Sequence, residues 1–436
     1  MSTAPAPVDR VAVLGDAGGV LDPGELARFV TDRVAGLGLT GRVCVVVPDP
    51  TRSCPLPLLV RAVREGLGPS VSAVTVLVAL GTHPPVPAER LAEWTGGPWT
   101  DADGLPGVTV TQHAWWDPAT FVEVGVVPAA RLRELSGGRL DADVPVRVNR
   151  AVVDHDAVLL LGPVFPHEVV GFSGGDKYLF PGISGPEVID TSHWLGALIG
   201  SAQVIGTPGI TPVRALVHEA AGMVPVRRAA VCVVVRSGTL DVHRVAVSEP
   251  PVAAWAAAAQ VSAQVHIRYL DRPVRRVLSI VSTRYDEMWT AAKGFYKVEP
   301  VLADGGEVVL LAPGVDTVSH TFGADILRVG YHSMAWVQAH LDDVGGLRSA
   351  DRPDGTAGSV LAHCTHARGA GTVAPDGTDR PRVGLTLATG LDRATTDRLA
   401  VGWVDPATVD VDAWERDPEA LVVHDAGEVL YRLRPT

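Results

Sequence analysis

The chain has 436 residues, with 37 Lys and Arg against 49 Asp and Glu, giving a formal net charge of −12 when histidine is neutral. That balance supplies no electrostatic reason to bind nucleic acid or an anionic membrane, so neither is an expected partner, although local basic pockets for a carboxylate or phosphate remain open. At 47% hydrophobic and 20% charged residues the chain reads as globular, and its length exceeds one ordinary core.

The first element is an apolar run, Val43–Val47, followed by the loop that carries Asp49, Thr51 and Arg52. A helix is expected from about Leu58, then a strand over Val74–Leu80 that ends in Gly81-Thr82-His83-Pro84. Strand, loop, helix, strand is the βαβ pattern and implies a right-handed crossover in a parallel sheet. Ala157–Leu161 reads as a buried parallel strand, and the segment Gly162–Gly196 follows it. Val231–Val235 is a further strand and Trp255–Ala263 a helix. The pattern breaks over Arg268–Arg276, where proline sits amid charge, so domains are expected at 1–270 and 271–436. The second unit opens with a strand over Val277–Val281, a helical stretch over Met288–Tyr296 and a strand over Val308–Leu311. Asp351–Ala357 reads as an exposed polar loop, and Arg382–Leu387 and Leu421–His424 as two more strands. The fold class is therefore α/β, two domains with mainly parallel sheets. Cys44, Cys54, Cys232 and Cys364 show no CxxC spacing. No secretory leader pattern or run of ~18–20 apolar residues occurs, and a cytoplasmic location is expected.

Open α/β sheets gather ligands at strand carboxyl ends, so the strand-end loops hold the candidates. The Asp49-x-Thr51-Arg52 turn is either a helix cap with a solvated Arg52 or a guanidinium clamp for an anion. His83, held extended by the following proline, is either structural or reactive. The long segment places His167, Lys177 and His193 around Ser173-Gly174-Gly175. That turn is either a plain tight turn or a ring of backbone N–H groups for a phosphate. It is neither a P-loop nor a GxGxxG fingerprint. Imidazole binds a metal or moves a proton, and an amine bonds an electrophilic cofactor. Lys293 is either a surface residue or an anion clamp. His363-Cys364-Thr365-His366 matches no zinc pattern and reads as structural or substrate-facing.

Asp-x-Thr-Arg, then Gly-Thr-His, then Pro-His-x-x-x-Gly-Phe-Ser-Gly-Gly-x-Lys-x-x-x-Pro-Gly, then a later His, in this order, resembles the nickel-dependent lactate racemase family. The resemblance runs from Asp49 to His193 and continues weakly to Lys293. It implies an active site in the interdomain cleft and a nickel-pincer nucleotide, pyridinium-3,5-bisthiocarboxylic acid mononucleotide nickel, made by separate cofactor-synthesis proteins. By motif position, Lys177 corresponds to the lysine that anchors this cofactor, and His193 to the protein ligand on nickel. His83 and His167 correspond to the acid/base pair, and Arg52 and Lys293 to residues that hold the substrate carboxylate. Asp49, Thr51, Ser173, Gly174 and Gly175 are expected to shape the cofactor pocket. The implied reaction inverts C2 of a 2-hydroxy acid: hydride leaves to the cofactor, a 2-keto acid forms, and hydride returns to the other face. Two imidazoles serve because the hydroxyl lies on opposite sides in the two enantiomers. Trp289-Thr290 stand where lactate-racemising members carry Tyr-Gln, so a larger 2-hydroxy acid (aromatic, dicarboxylic or sugar acid) is expected. The competing readings are a zinc-dependent hydrolase or lyase using the same histidines, and a non-catalytic nucleotide- or anion-binding protein.

Overall fold

The chain is organised on two sheets, seen in a computed structural model that describes residues 11–97, 108–283, 285–340 and 357–434. The first is built from β1 (Ala12–Gly15), β2 (Gly41–Pro48), β3 (Val71–Ala79), β4 (Val108–Gln112), β5 (Ala157–Pro163), β6 (Arg227–Val235) and β7 (Val242–Ser248). Their order across this seven-stranded sheet is β1-β7-β6-β5-β2-β3-β4. From β6 to β4 all neighbours are parallel, and β7 runs antiparallel to both β6 and β1. The expected βαβ unit is β2, helix α1 (Leu56–Gly66) and β3.

The unbroken apolar runs exist because both faces of the central strands are covered. Val43, Val45 and Val47 enter one core with Leu159 and Leu161, while Cys44 and Val46 enter another with Val158 and Leu160. Strand alternation thus splits a single run between two cores. Against the first core packs α1, whose Leu56, Leu59, Val60, Ala62 and Val63 are buried at helical spacing. The second core includes the helices α2 (Pro186–Ile199) and α3 (Pro251–His266).

The second sheet is entirely parallel. It contains β8 (Val274–Val281), β9 (Leu302–Ala312), β10 (Gly384–Thr389), β11 (Gly402–Trp403) and β12 (Ala420–Ala426) in the order β11-β10-β9-β8-β12. Val277, Val281, Val308 and Leu310 of this sheet belong to the same contiguous apolar cluster as Val158 and Leu160 of the first. The strand Leu430–Leu433 returns to pair with Ile267–Leu270, just before the expected boundary at 270/271. The Glu428 carboxylate accepts from Ser53 Oγ at 2.9 Å and from the Gly238 N–H at 2.5 Å, fastening that return to two loops of the first sheet.

Two expectations change. The helical stretch Met288–Tyr296 is two short helices, α4 (Met288–Ala291) and α5 (Lys293–Tyr296), which meet at Ala292. Of the expected polar loop Asp351–Ala357, residues 351–356 lie outside the described residues, and Ala357 is the buried first residue of helix α6 (Ala357–His366). No helix among the described residues is long and apolar enough to cross a membrane.

Candidate active site

After β2 the chain continues to β3 on one side of the sheet, while β5 and β6 lie on the other. The carboxyl ends of β2 and β5 therefore flank a topological switch point, where an open α/β sheet leaves a crevice. A cavity of about 140 Å³ opens there. Asp49 and Arg52 reach it from the loop after β2, His83 from the loop after β3, and His167 from the loop after β5. Lys177 and His193 come from the following turn and from α2, and Lys293 from α5. Seven of the side chains singled out in the sequence thus share one cavity, although up to 244 positions separate them (Asp49 to Lys293).

His83 is oriented by Asp49. Its Nδ1 lies 2.5 Å from Asp49 Oδ2, while the Thr51 hydroxyl and N–H both donate to Asp49 Oδ1, at 2.6 and 3.0 Å. A carboxylate accepts, so Nδ1 donates and Nε2 is the nitrogen left for chemistry. Burial alone would raise the Asp49 carboxyl. The charges of His83 and Arg52, with the bonds from His83 and Thr51, outweigh it and hold the group well below the usual carboxylate range. Trp115 Nε1 fixes the same loop from behind, donating to the His83 carbonyl at 2.9 Å.

His167 is set the other way. Its Nδ1 accepts the Val169 N–H at 3.2 Å, so the neutral ring carries its proton on Nε2. Burial pushes its pKa well below the ordinary value, with Lys177, Arg52 and His193 adding to the shift and Glu168 opposing it. The two imidazoles therefore enter the cavity as a lone-pair side and an N–H side.

Lys177 rides on a 3-10 turn (Gly175–Tyr178) whose entry needs both glycines. Gly174 and Gly175 have φ of +81° and +58°, and a Cβ on Gly174 would meet Val164 Cγ2 at 2.6 Å. Beneath the turn, the fully buried guanidinium of Arg214 donates to the carbonyls of Phe172 and Gly174 and lies 4.3 Å over the Trp255 ring. Asp176, next to Lys177, is tied down by His218 at 2.9 Å and Arg228 at 3.1 Å. Burial, then the neighbouring Arg52, pushes the Lys177 amine down to about 7, and the same two causes in the same order bring Lys293 to about 7. Near neutrality a share of each amine is therefore uncharged.

His193 donates from Nδ1 to the Ile189 carbonyl one turn back on α2, at 2.7 Å. That bond fixes the tautomer and leaves Nε2 as a free donor atom, the arrangement usual for a metal-bound histidine. Burial chiefly pushes this group down to about 4. Among the described residues no group of three or more His, Cys, Asp or Glu is placed to hold a metal ion. A metal here would draw one ligand from His193 and the rest from a bound organic group. Lys177 and His193 face one cavity and fit such a group, as an amine to bond it and an imidazole to cap its metal.

The other expected cofactor-pocket residues lie apart from this wall. Thr51 and Ser173 line an adjoining small cavity with Glu428 and Lys297. The Ser173 hydroxyl receives the Phe165 N–H at 2.9 Å and donates to the Pro163 carbonyl at 3.3 Å, pinning the turn. Gly174 and Gly175 shape that turn and do not line the main cavity.

Sequence reasoning passed over Glu168, which lines the same cavity. Burial raises this carboxyl, but His167, its own backbone N–H, His366 and Lys293 hold it well below the usual range. Position next to His167 was the available signal. Tyr178, Tyr296, Ser359 and Ala362 also line the cavity without having been singled out. His363 and His366 do face it, as the substrate-facing option required, from α6. Trp289 stacks on His363 with ring centroids 4.5 Å apart, and Thr290 stands beside it in the wall.

A mainly parallel α/β fold with histidines, amines and a guanidinium at a strand-end switch point is an arrangement able to transfer protons and bind an anion. Residues 38–206 match the lactate racemase N-terminal domain. Lactate racemases of Lactiplantibacillus plantarum and Thermoanaerobacterium thermosaccharolyticum are each 27% identical to it, over 155 and 156 residues. Those alignments cover 35% of this chain and 32% of each relative, so the chain spans about a third of the length of the curated relatives it matches. A Thermotoga maritima crystal structure from a structural genomics programme superposes with a TM-score of 0.84 at 29% identity, covering 97% of this chain and all of that one. The apoprotein structure of the Thermoanaerobacterium lactate racemase gives a TM-score of 0.66 at 16% identity over 93% of both chains, a likeness of fold.

Proposed function

We propose that this protein is a racemase or epimerase that inverts C2 of a 2-hydroxy acid, using a nickel-pincer nucleotide held by Lys177 and His193. The observation that carries the reading is the meeting of His83, His167, Arg52, Lys177, His193 and Lys293 in one cavity. The family's N-terminal domain match over 38–206 supports it.

When bound, the nickel-pincer nucleotide supplies a hydride acceptor, which avoids a carbanion at the weakly acidic C2. The side chains do the rest. Arg52 grips the substrate carboxylate in two-point fashion and Lys293 adds charge, so the acid keeps its place while C2 turns planar. His83 takes the hydroxyl proton on Nε2, and Asp49 stabilises the resulting imidazolium through Nδ1. His167 addresses the opposite side and returns a proton from Nε2, which requires the ring to be charged beforehand. The Glu168 carboxylate, 3.5 Å from its Nδ1, favours that form against burial, with Nδ1 then donating to Glu168 in place of accepting the Val169 N–H. Running the other enantiomer exchanges the roles.

A zinc hydrolase or lyase would require three protein ligands around one ion, and no such set occurs among the described residues. Protein produced in a host that makes the cofactor separates the readings. Nickel, a near-visible absorbance band and an intact mass increased by the cofactor are expected. Zinc without such a band contradicts the proposal.

A further inference from the structure

Helix α6 crosses the cavity with Ser359, Ala362, His363 and His366 in its wall. Spacings of three, four and seven put these residues on one helical face. His363 is accounted for: its Nε2 is 3.1 Å from the Tyr331 hydroxyl, and its ring lies on Trp289. Ser359 Oγ and His366 Nε2 are not. Both atoms are buried without a hydrogen-bond partner among the described residues, in side chains of residues only 2% and 4% exposed. Buried polar groups left without a partner are costly, so groups of this kind call for one. The two occur on the same face, in the wall of the same cavity.

We propose that Ser359 and His366 bind the tail of the substrate, and that this tail carries hydroxyl groups: the acid is a polyhydroxy 2-hydroxy acid of four to six carbons. The proposal rests on the reading of the cavity as a 2-hydroxy acid site. The chemistry of the two groups selects among the expected tails. A serine hydroxyl and a neutral imidazole nitrogen bond to partners that donate and accept, as alcohols do. A methyl or phenyl tail would leave both orphans in place. A second carboxylate would want positive charge. This face offers none at neutral pH, because burial chiefly brings His366 to about 4 and His363 to about 3. Arg52 and Lys293 remain for the C1 carboxylate. Seven residues of helix rise through ~10 Å, a span that suits several consecutive carbons rather than one methyl group.

The test compares cofactor-loaded wild type, Ser359→Ala and His366→Leu on erythronate, gluconate, phenyllactate, malate and lactate. Inversion at C2 is followed by chiral chromatography, and binding of each acid by calorimetry. Wild type is expected to prefer erythronate or gluconate over lactate by at least ~100-fold in kcat/KM, as hydrogen-bonding sites reject analogues lacking the hydroxyl. In each variant that ratio is expected to fall at least tenfold, and because it is taken within one protein it is insensitive to partial misfolding. A ratio near one in wild type overturns the inference while leaving the racemase reading intact. So does an equal loss on all acids in the variants, which would assign the two groups to the cofactor. If no acid is inverted, the racemase reading fails. Calorimetry then still decides the inference, which is overturned if the polyhydroxy acids bind no tighter than lactate or if Ser359→Ala leaves their affinity unchanged.

Discussion

Asp49 Oδ2 stands 2.5 Å from His83 Nδ1, and its other oxygen receives two bonds from Thr51. This dyad determines which nitrogen of His83 meets the substrate and stabilises the ring once it is charged. Asp49→Asn would keep the shape and lose both effects. A fall in kcat of ~10²–10⁴-fold is expected, the range usual for disabled acid–base catalysis, with KM little changed and a smaller loss in Thr51→Val. Steady-state kinetics in both directions of inversion check this.

His193 and Lys177 separate by metal and by mass. His193→Ala is expected to lose most of its nickel while retaining its melting temperature, measured by metal analysis and calorimetry. Lys177→Met is expected to show no cofactor-sized increase in intact mass. A Lys177→Met protein that still carried that mass would remove the lysine from its anchoring role.

Arg214 is the hidden support of the Lys177 turn. Replacing it by Leu strips partners from the carbonyls of Phe172 and Gly174 in a dry interior. A destabilisation of ~2–4 kcal/mol is expected from denaturant unfolding, accompanied by weaker cofactor retention.

The buried amines leave a signature in stability. Lys177 and Lys293 titrate at about 7 in the folded protein against an ordinary 10.5. Between those values the unfolded chain binds protons that the folded chain does not, so stability rises with pH through the window. The cost of charging is fully present below about 7. In cofactor-free protein, Lys177→Met is expected to melt a few degrees higher at pH 7 and to show a flatter rise towards pH 9.5.

Much of the first sheet was legible in the sequence because its strands are buried on both faces. Val43–Val47 and Ala157–Leu161 read as continuous apolar runs for that reason, and the loops after them carried the reactive groups. The edge strands β1 and β4 escaped notice: they are short and at most half-buried, and their pairing is long-range. Asp49 was read as part of a cofactor pocket, since nothing local reveals that a loop 34 residues away brings His83 against it. Arg214 was invisible for a similar reason, as a buried arginine looks like a solvated one until its carbonyl partners are known. Helix α6 gave a histidine pair but no role, because its meaning depends on the cavity it crosses.

The most direct test of the central claim follows one enantiomer of a 2-hydroxy acid turned over in D2O by the cofactor-loaded protein, alongside His83→Ala and His167→Ala. Loss of optical purity with the C2 hydrogen retained in early turnover is expected for wild type, and neither variant is expected to support it. Deuterium incorporated at C2 in step with inversion, or turnover surviving in both variants, would contradict the account.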